Sequence, residues 1–321
     1  MAISGPSGFL GSYLIARIEK EFDIILLTRT QESYANLRNK YPNTKIQIID
    51  WNNIDSIKKN FQNINIFVHA GAKLPTRATA NDKVIVDSSI RIVKNLCKAN
   101  ISLEKFLFIS TLRTCINTSS NFFSDYSEYN FFSQDTEYGR SKFLTEKFLM
   151  ENKNFPLIIC APAHIIGPET PDIAKSNDVL FKMLNKQLIF FTKAKYSIVH
   201  ISDVCDVICK IIHLGKDGEK YLVAKENPTL DELINIAEKL DKIKKIKIKI
   251  PLFFLNFISF LFENLNKIFR LNNLPINRST YHFIKLNKNF KGCNLEKFNL
   301  NFKTSEYMMK EIFEFKNSKN Q

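Results

Sequence analysis

The strongest constraint on this chain lies at its start, in Ile3-Ser4-Gly5-Pro6-Ser7-Gly8-Phe9-Leu10-Gly11. A short apolar stretch at 2–4, expected to be a strand, runs into Gly-x-x-Gly-x-x-Gly. Residues 10–21 then follow with a helical apolar period. The chain has only 9 glycines, and three of them sit in this loop. Gly5 permits a tight turn, Gly8 the close approach of a phosphate group, and Gly11 close packing of helix on strand. The helix start adds unpaired N–H groups and the positive end of a dipole. Strand before and helix after make this a phosphate cradle for a dinucleotide, with an ordinary glycine turn as the plainer alternative. The first strand is short, which leaves room for a start a few residues upstream.

The rest of the first half repeats that rhythm. Strands are expected at 24–28, 46–49, 66–69, 105–110 and 157–160, and helices at 34–40, 54–61, 84–99 and 139–151. Strand, helix, strand in this order predicts a parallel sheet with helices on both faces, and ligands bind such sheets at the carboxyl ends of the strands. Pro162, Pro168 and Pro171 break the later chain into loops. Thr229 with Glu232 three residues on marks a capped helix over 229–240. The lysine run at 239–249 alternates with Ile over its second half, as a half-exposed strand does. Residues 317–321 are expected to fray. These patterns give an α/β fold of two regions. Residues 1–163, with 190–212 returning to them, form the cofactor domain, and 164–321 form a smaller, mostly helical substrate region.

Composition narrows the function classes. The formal charge is +14, but the excess is Lys interleaved with Asn, Ile and Phe. That is the imprint of an AT-rich coding sequence and does not call for a nucleic-acid partner. Six scattered cysteines and no export signal read as reduced thiols of a cytoplasmic protein. The apolar stretch 251–262 is too short to span a bilayer. Its aromatic helix is expected to lie buried beneath the substrate region, with contact to a membrane or lipid-linked substrate as the alternative. Cys205 and Cys209, four apart on an expected helix, read as core residues rather than zinc ligands. The aromatic segment 122–132 either lines a substrate pocket or folds on its own rings.

Two features point to the cofactor and one to the chemistry. Arg29 follows the second strand with no acid beside it, which favours a ribose 2′-phosphate and so NADP over NAD. Asp50 ends the third strand, placed to accept from an adenine amino group or to cap a turn. Tyr138-Gly139-Arg140-Ser141-Lys142 puts Tyr and Lys on one helical face. A neighbouring ammonium and an oxidised nicotinamide both favour the phenolate, making Tyr138 a candidate acid–base group. The same spacing recurs at Tyr41/Lys45, Tyr221/Lys225 and Tyr281/Lys285. Position singles out Tyr138, because it follows a strand that ends in Ser110 and Thr111.

Taken in order, these residues resemble the extended short-chain dehydrogenase/reductase family, the group of NAD-dependent epimerases and dehydratases. The resemblance runs over most of the chain. It takes in the glycine loop, Asp50, His69-Ala70-Gly71-Ala72, Ser110-Thr111, Tyr138 with Lys142, Ala161 to Pro168, Val199 to Val204, and the pattern at 294–305. It implies a Rossmann-type doubly wound sheet, a homodimer paired through helices flanking that sheet, and a small-molecule substrate. It also implies Thr111, Tyr138 and Lys142 as the catalytic set. Cofactor contacts would come from Gly5, Ser7, Gly8, Phe9, Leu10, Gly11, Arg29, Asp50, Trp51, Ala70, Gly71, Ala72 and Pro162, together with Tyr138 and Lys142. Substrate contacts would come from Lys73, Thr111, Arg113, His164, Lys195 and Tyr196.

Departures from the family pattern narrow the reaction. Leu112 and Arg113 stand where dehydratases carry an acidic pair, which speaks against 4,6-dehydration. Tyr196, beside Lys195, stands where epimerases carry a diphosphate-binding Arg, and Ala161 stands where another Arg is expected. These last two gaps count against a sugar nucleotide. The expected function is hydride transfer at a hydroxyl or ketone carbon, as an epimerase or reductase, with a sugar nucleotide as the first substrate class. The alternatives are a carbonyl reductase similar to the dihydroflavonol and hydroxysteroid reductases, and a non-catalytic NAD(P)-binding sensor or RNA-binding relative.

Overall fold

The computed structural model describes residues 1–71, 82–170, 173–269 and 278–319. The chain begins β1 (Ala2–Ser4), α1 (Phe9–Ile18), β2 (Ile25–Thr28), α2 (Gln31–Lys40), β3 (Lys45–Ile48), α3 (Ile54–Asn60), β4 (Ile66–His69), α4 (Asp82–Ala99) and β5 (Lys105–Ile109). A 3-10 turn at Leu112–Cys115 and the short β6 (Phe123–Ser124) lead to α5 (Glu137–Asn152), β7 (Leu157–Pro162) and β8 (His164–Ile166). Then come α6 (Asn177–Asn185), β9 (Leu188–Phe191), β10 (Ile198–His200), α7 (Ile201–Leu214), β11 (Lys220–Val223), α8 (Leu230–Asp241) and β12 (Ile246–Lys249). The chain closes with α9 (Leu252–Phe269), α10 (Arg278–Leu286), β13 (Phe290–Lys291) and α11 (Ser305–Lys319).

The main sheet has seven strands in the order β11-β7-β5-β4-β1-β2-β3, all parallel. Strand order reverses between β1 and β4, which opens the crevice where such sheets bind ligands. Alternate strand residues feed two cores, as the two-residue period of a strand requires. Val68, Leu107, Ile109 and Ile158 join α1 and α7 in one. Phe67, Phe106, Phe108 and Ile159 join α3, α4 and α5 in the other. A third core packs α6, α8 and α11. All six cysteines are free thiols, with Cys205 and Cys209 buried on α7. Among the described residues no helix is long and apolar enough to cross a membrane.

Most expected elements form, with shifted ends. The α8 capping box joins Thr229 and Glu232 as the sequence predicts, and the lysine run supplies β12, paired with β9. Three expectations fail, one strand was missed and one segment divides. The stretch after Pro162 is not simply loop: β7 runs through Pro162, and β8 pairs with β10. Proline is tolerated there because it ends its strand. The sheet's edge strand is β11, whose four residues are too few to show a period. Residues 317–319 continue α11 instead of fraying. The aromatic face of α9 stays outside, with Phe253 76% and Phe257 60% exposed, because the helix turns Leu255 and Ser259 inward. The segment at 122–132 splits: Phe123 and Phe131 are core residues, while Phe122 and Phe132 are exposed.

Candidate active site

The loops after β1 and β4 meet at the switch point with almost no space between them. Gly5 has φ +74°, and a Cβ there would lie 2.7 Å from the Cα of Gly71. Gly11 begins the close approach of α1, since its Cβ would stand 2.1 Å from Gly5 O. At Gly8, chain neighbours aside, Gly5 O at 3.4 Å is the one atom of the described residues within 4 Å of a Cβ, so its other side is open among them. Gly8 N–H donates to Gly5 O and Ser12 N–H to Gly8 O. No side chain caps α1, so its first-turn N–H groups have no intrahelical acceptors. Leu10 is buried in the core, while Phe9 packs edge-on to Tyr13. Beneath the cradle, Ser4 Oγ and His69 Nδ1 are 2.6 Å apart. Burial, with the charges of Lys142 and Arg29 adding, pushes the His69 imidazole down to about 3. It is therefore neutral and belongs to the floor.

At the end of β2 Arg29 is exposed, and it makes no salt bridge to a described residue. The Asp50 carboxylate accepts from Asn52 N–H at 2.9 Å, the turn-capping alternative. The Trp51 indole is buried against Phe61, Phe67 and His69. Its side chain is thus core, and its carbonyl already accepts from Asn95 Nδ2 at 2.9 Å. Pro162 ends β7 beside Val223 of β11. Ala70 and Gly71 lie on the Gly5 loop. Ala72 and Lys73 fall outside the described residues.

Helix α5 starts at Thr136, whose side chain accepts from Gly139 N–H, and it brings Tyr138 and Lys142 to the end of β5. Lys142 Nζ donates to Ile109 O at 2.7 Å. It lies 4.7 Å from the Phe108 ring centre and 6.0 Å from that of Tyr138. Burial pushes the Lys142 ammonium down to about 8, against the pull of the Glu146 carboxylate. Burial pushes the Tyr138 phenol up to about 12, and the charge that opposes this is the Arg113 guanidinium. The expected lowering by a neighbouring ammonium is therefore not what the free protein shows. Desolvation wins, and the phenol is protonated at neutral pH.

The Ser110/Thr111 pair divides. The Ser110 hydroxyl donates to Glu146, so it is occupied. Thr111 is buried, and its hydroxyl has no hydrogen bond to a described residue. Glu146 also accepts from Thr114 Oγ1 at 2.7 Å and pairs with Lys220 at 2.8 Å. Sequence reasoning missed Glu146. Its signal was the four-residue spacing from Lys142 on the same helical face.

The expected substrate residues are mostly engaged within the protein. Arg113 is held by Asp135 and lies 4.6 Å from the Phe283 ring centre. Tyr196 donates to Ser176 O at 3.1 Å, and Lys195 Nζ to Asn289 at 2.7 Å. The His164 ring stacks on Tyr196 at 4.4 Å, with Nδ1 2.9 Å from Ser197 O. A carbonyl only accepts, so Nδ1 carries the proton and Nε2 keeps its lone pair. Burial pushes His164 down to about 4, and Arg113 adds to this. Arg113 and His164 both flank the Phe283 ring, at 4.6 and 6.4 Å from its centre.

A sequence profile of the NAD dependent epimerase/dehydratase family matches residues 1–224. The chain belongs to this family. The family's fold recurs at low identity among solved structures. UDP-glucose 4-epimerase of Thermotoga maritima aligns at TM-score 0.75 and 14% identity, over 100% of this chain and 99% of that one. The yeast methylglyoxal/isovaleraldehyde reductase Gre2, in complex with NADPH, aligns at TM-score 0.70 and 16% identity, over 98% of each chain. A curated relative, sterol demethylase protein B of Methylococcus capsulatus, is 26% identical over 157 residues, 48% of this chain. That match spans 47%, about half, of the relative's length.

Proposed function

We propose that this family member is an NAD(P)-dependent epimerase or oxidoreductase that interconverts a hydroxyl and a ketone carbon of a polar, sugar-nucleotide-type substrate. The seat of Lys142 carries the reading. Its ammonium is anchored on Ile109 O at the end of β5, one residue before Ser110-Thr111 and one helical turn after Tyr138. The cradle fits a pyrophosphate, because Gly8 is open on one side and α1 offers uncapped N–H groups. Gly5, Ser7, Gly8, Phe9 and Gly11 would hold that group, Arg29 a 2′-phosphate, Asp50 the adenine, and Ala70, Gly71 and Pro162 the groups between. When bound, the nicotinamide supplies or takes up the hydride.

The protein's own part is proton handling and positioning. The Thr111 hydroxyl and the Tyr138 phenol orient the substrate oxygen. Tyr138, protonated at neutral pH, gives its proton to that oxygen as a ketone is reduced and takes one back in the reverse direction. Lys142 and Arg113 supply the positive charge that brings a phenolate within reach. His164 contacts the substrate through Nε2, while Lys195 and Tyr196 shape the wall.

A second reading, an NADPH-dependent carbonyl reductase such as Gre2, is favoured by Arg29, which pairs with no described acid, and by Tyr196 and Ala161 in place of the arginines of epimerases. Under either reading the chain works in the cytoplasm as a homodimer. Calorimetric titration with NADPH and NADH, followed by turnover assays with UDP-sugars and small ketones, tests the proposal. An epimerase leaves reduced nicotinamide at a steady level, and a reductase consumes it. Binding of neither nucleotide, or a Tyr138→Phe variant with unchanged turnover, overturns it.

A further inference from the structure

The β9/β12 pair and α9, which take no part in that chemistry, carry nine of the exposed large apolar side chains among the described residues. In the two-stranded sheet, Leu188 lies beside Ile246 and Phe190 beside Ile248, all on one side and 42–63% exposed. The alternate residues Ile189 and Phe191 pack on the third core. Two residues after β12 ends, α9 begins and repeats the inversion. Phe253, Phe257 and Phe260, spaced i, i+4 and i+7, are 76%, 60% and 52% exposed. A helix of a globular domain turns that stripe inward.

The apolar patch is framed by cations. Lys186 and Lys193 flank β9, while Lys242, Lys244 and Lys249 flank β12, and all five are exposed. None of the five is in a salt bridge with a described residue. The two acids of this stretch are already taken, Glu238 by Lys247 and Asp241 by Lys245.

We propose that this face docks on a lipid bilayer bearing anionic headgroups. The Phe, Leu and Ile side chains enter the boundary between headgroups and acyl chains, and the five lysines meet the headgroup phosphates. An apolar centre with a lysine rim is the arrangement of helices that lie in a membrane interface. α9, 18 residues and so about 27 Å long, lies along the surface and does not cross it. A second copy on the same face would set two lysine rims against each other across a two-fold axis.

The full chain is mixed with phosphatidylcholine vesicles, with or without roughly one third phosphatidylglycerol, and sedimented. It is expected to follow the anionic vesicles and to stay in solution with the neutral ones. Replacing Phe253, Phe257 and Phe260 together with Ser lowers apparent affinity by about tenfold or more with the melting temperature unchanged. If that variant melts early, Phe253→Ser alone carries the test with a loss of about threefold. Replacing the five lysines with Gln abolishes the preference for phosphatidylglycerol. Failure to sediment at low salt, or binding indifferent to the Phe substitutions, overturns the proposal. So does a dimer that the Ser variant dissociates in the absence of vesicle binding, or retention by single-stranded RNA in place of vesicles.

Discussion

The two sides of the candidate site differ in what their polar groups already hold. On the cofactor side of the proposed site, the α1 N–H groups and Arg29 have no partner among the described side chains. On the substrate side, Lys195, Tyr196 and one nitrogen of His164 are each engaged inside the protein, and Arg113 pairs with Asp135 although its Nη2 has no hydrogen-bond partner among the described residues. A group whose hydrogen bonds are satisfied gains little by exchanging them for a ligand's, whereas one left bare gains the full interaction. The contrast locates ligand binding more sharply than residue type does.

The hardest test of that contrast is Tyr138→Phe, which keeps the ring and removes the proton. It should lower kcat by roughly 10²- to 10⁴-fold while nucleotide affinity, read by calorimetry, stays within about twofold. Next comes Glu146→Gln. It leaves the Lys220 ammonium unpaired in a buried network, so unfolding free energy in a denaturant titration should fall by about 3 kcal/mol. Activity should fall with it as the Thr111 turn loosens.

Lys142 sharpens the electrostatics. Its folded pKa of about 8 lies below its ordinary value, so its charge is lost as pH rises through about 8. If the ammonium supports Tyr138, kcat/KM should drop on that limb, and Lys142→Arg should move the drop well above it. The stability sign is opposite. The unfolded chain binds the extra proton between the two values, so this residue's contribution to stability grows as pH rises there. Arg29→Ala should weaken NADPH about tenfold and NADH by less than about twofold, measured by titration. The smallest effect belongs to the engaged side: Lys195→Ala should change KM by less than about threefold. A large loss there would erase the distinction between the two sides.

The glycine loop was legible because glycine at 5 and 11 answers local steric demands that no other residue meets. The Tyr138/Lys142 pair was legible only through its place after the strand ending at Ser110. Glu146 showed only its four-residue spacing from Lys142, and Asp135 no signal, because their partners Lys220 and Arg113 are distant in sequence. Trp51 misled because the strand end that implied a ligand contact also turned the indole into the core. The exposed stripe of α9 misled for the same reason in reverse: periodicity reports that a face exists, and only packing decides which way it turns.

The sequence by itself determined the strand–helix alternation, the glycine turn and the spacing of Tyr138 and Lys142, since these follow from local sterics and side-chain period. Tertiary structure decided which hydroxyl stays free at the end of β5, which cations are already neutralised, and that burial outweighs charge in setting the Tyr138 phenol. Those outcomes depend on desolvation and on partners far along the chain, and both exist only once the sheet has closed around them.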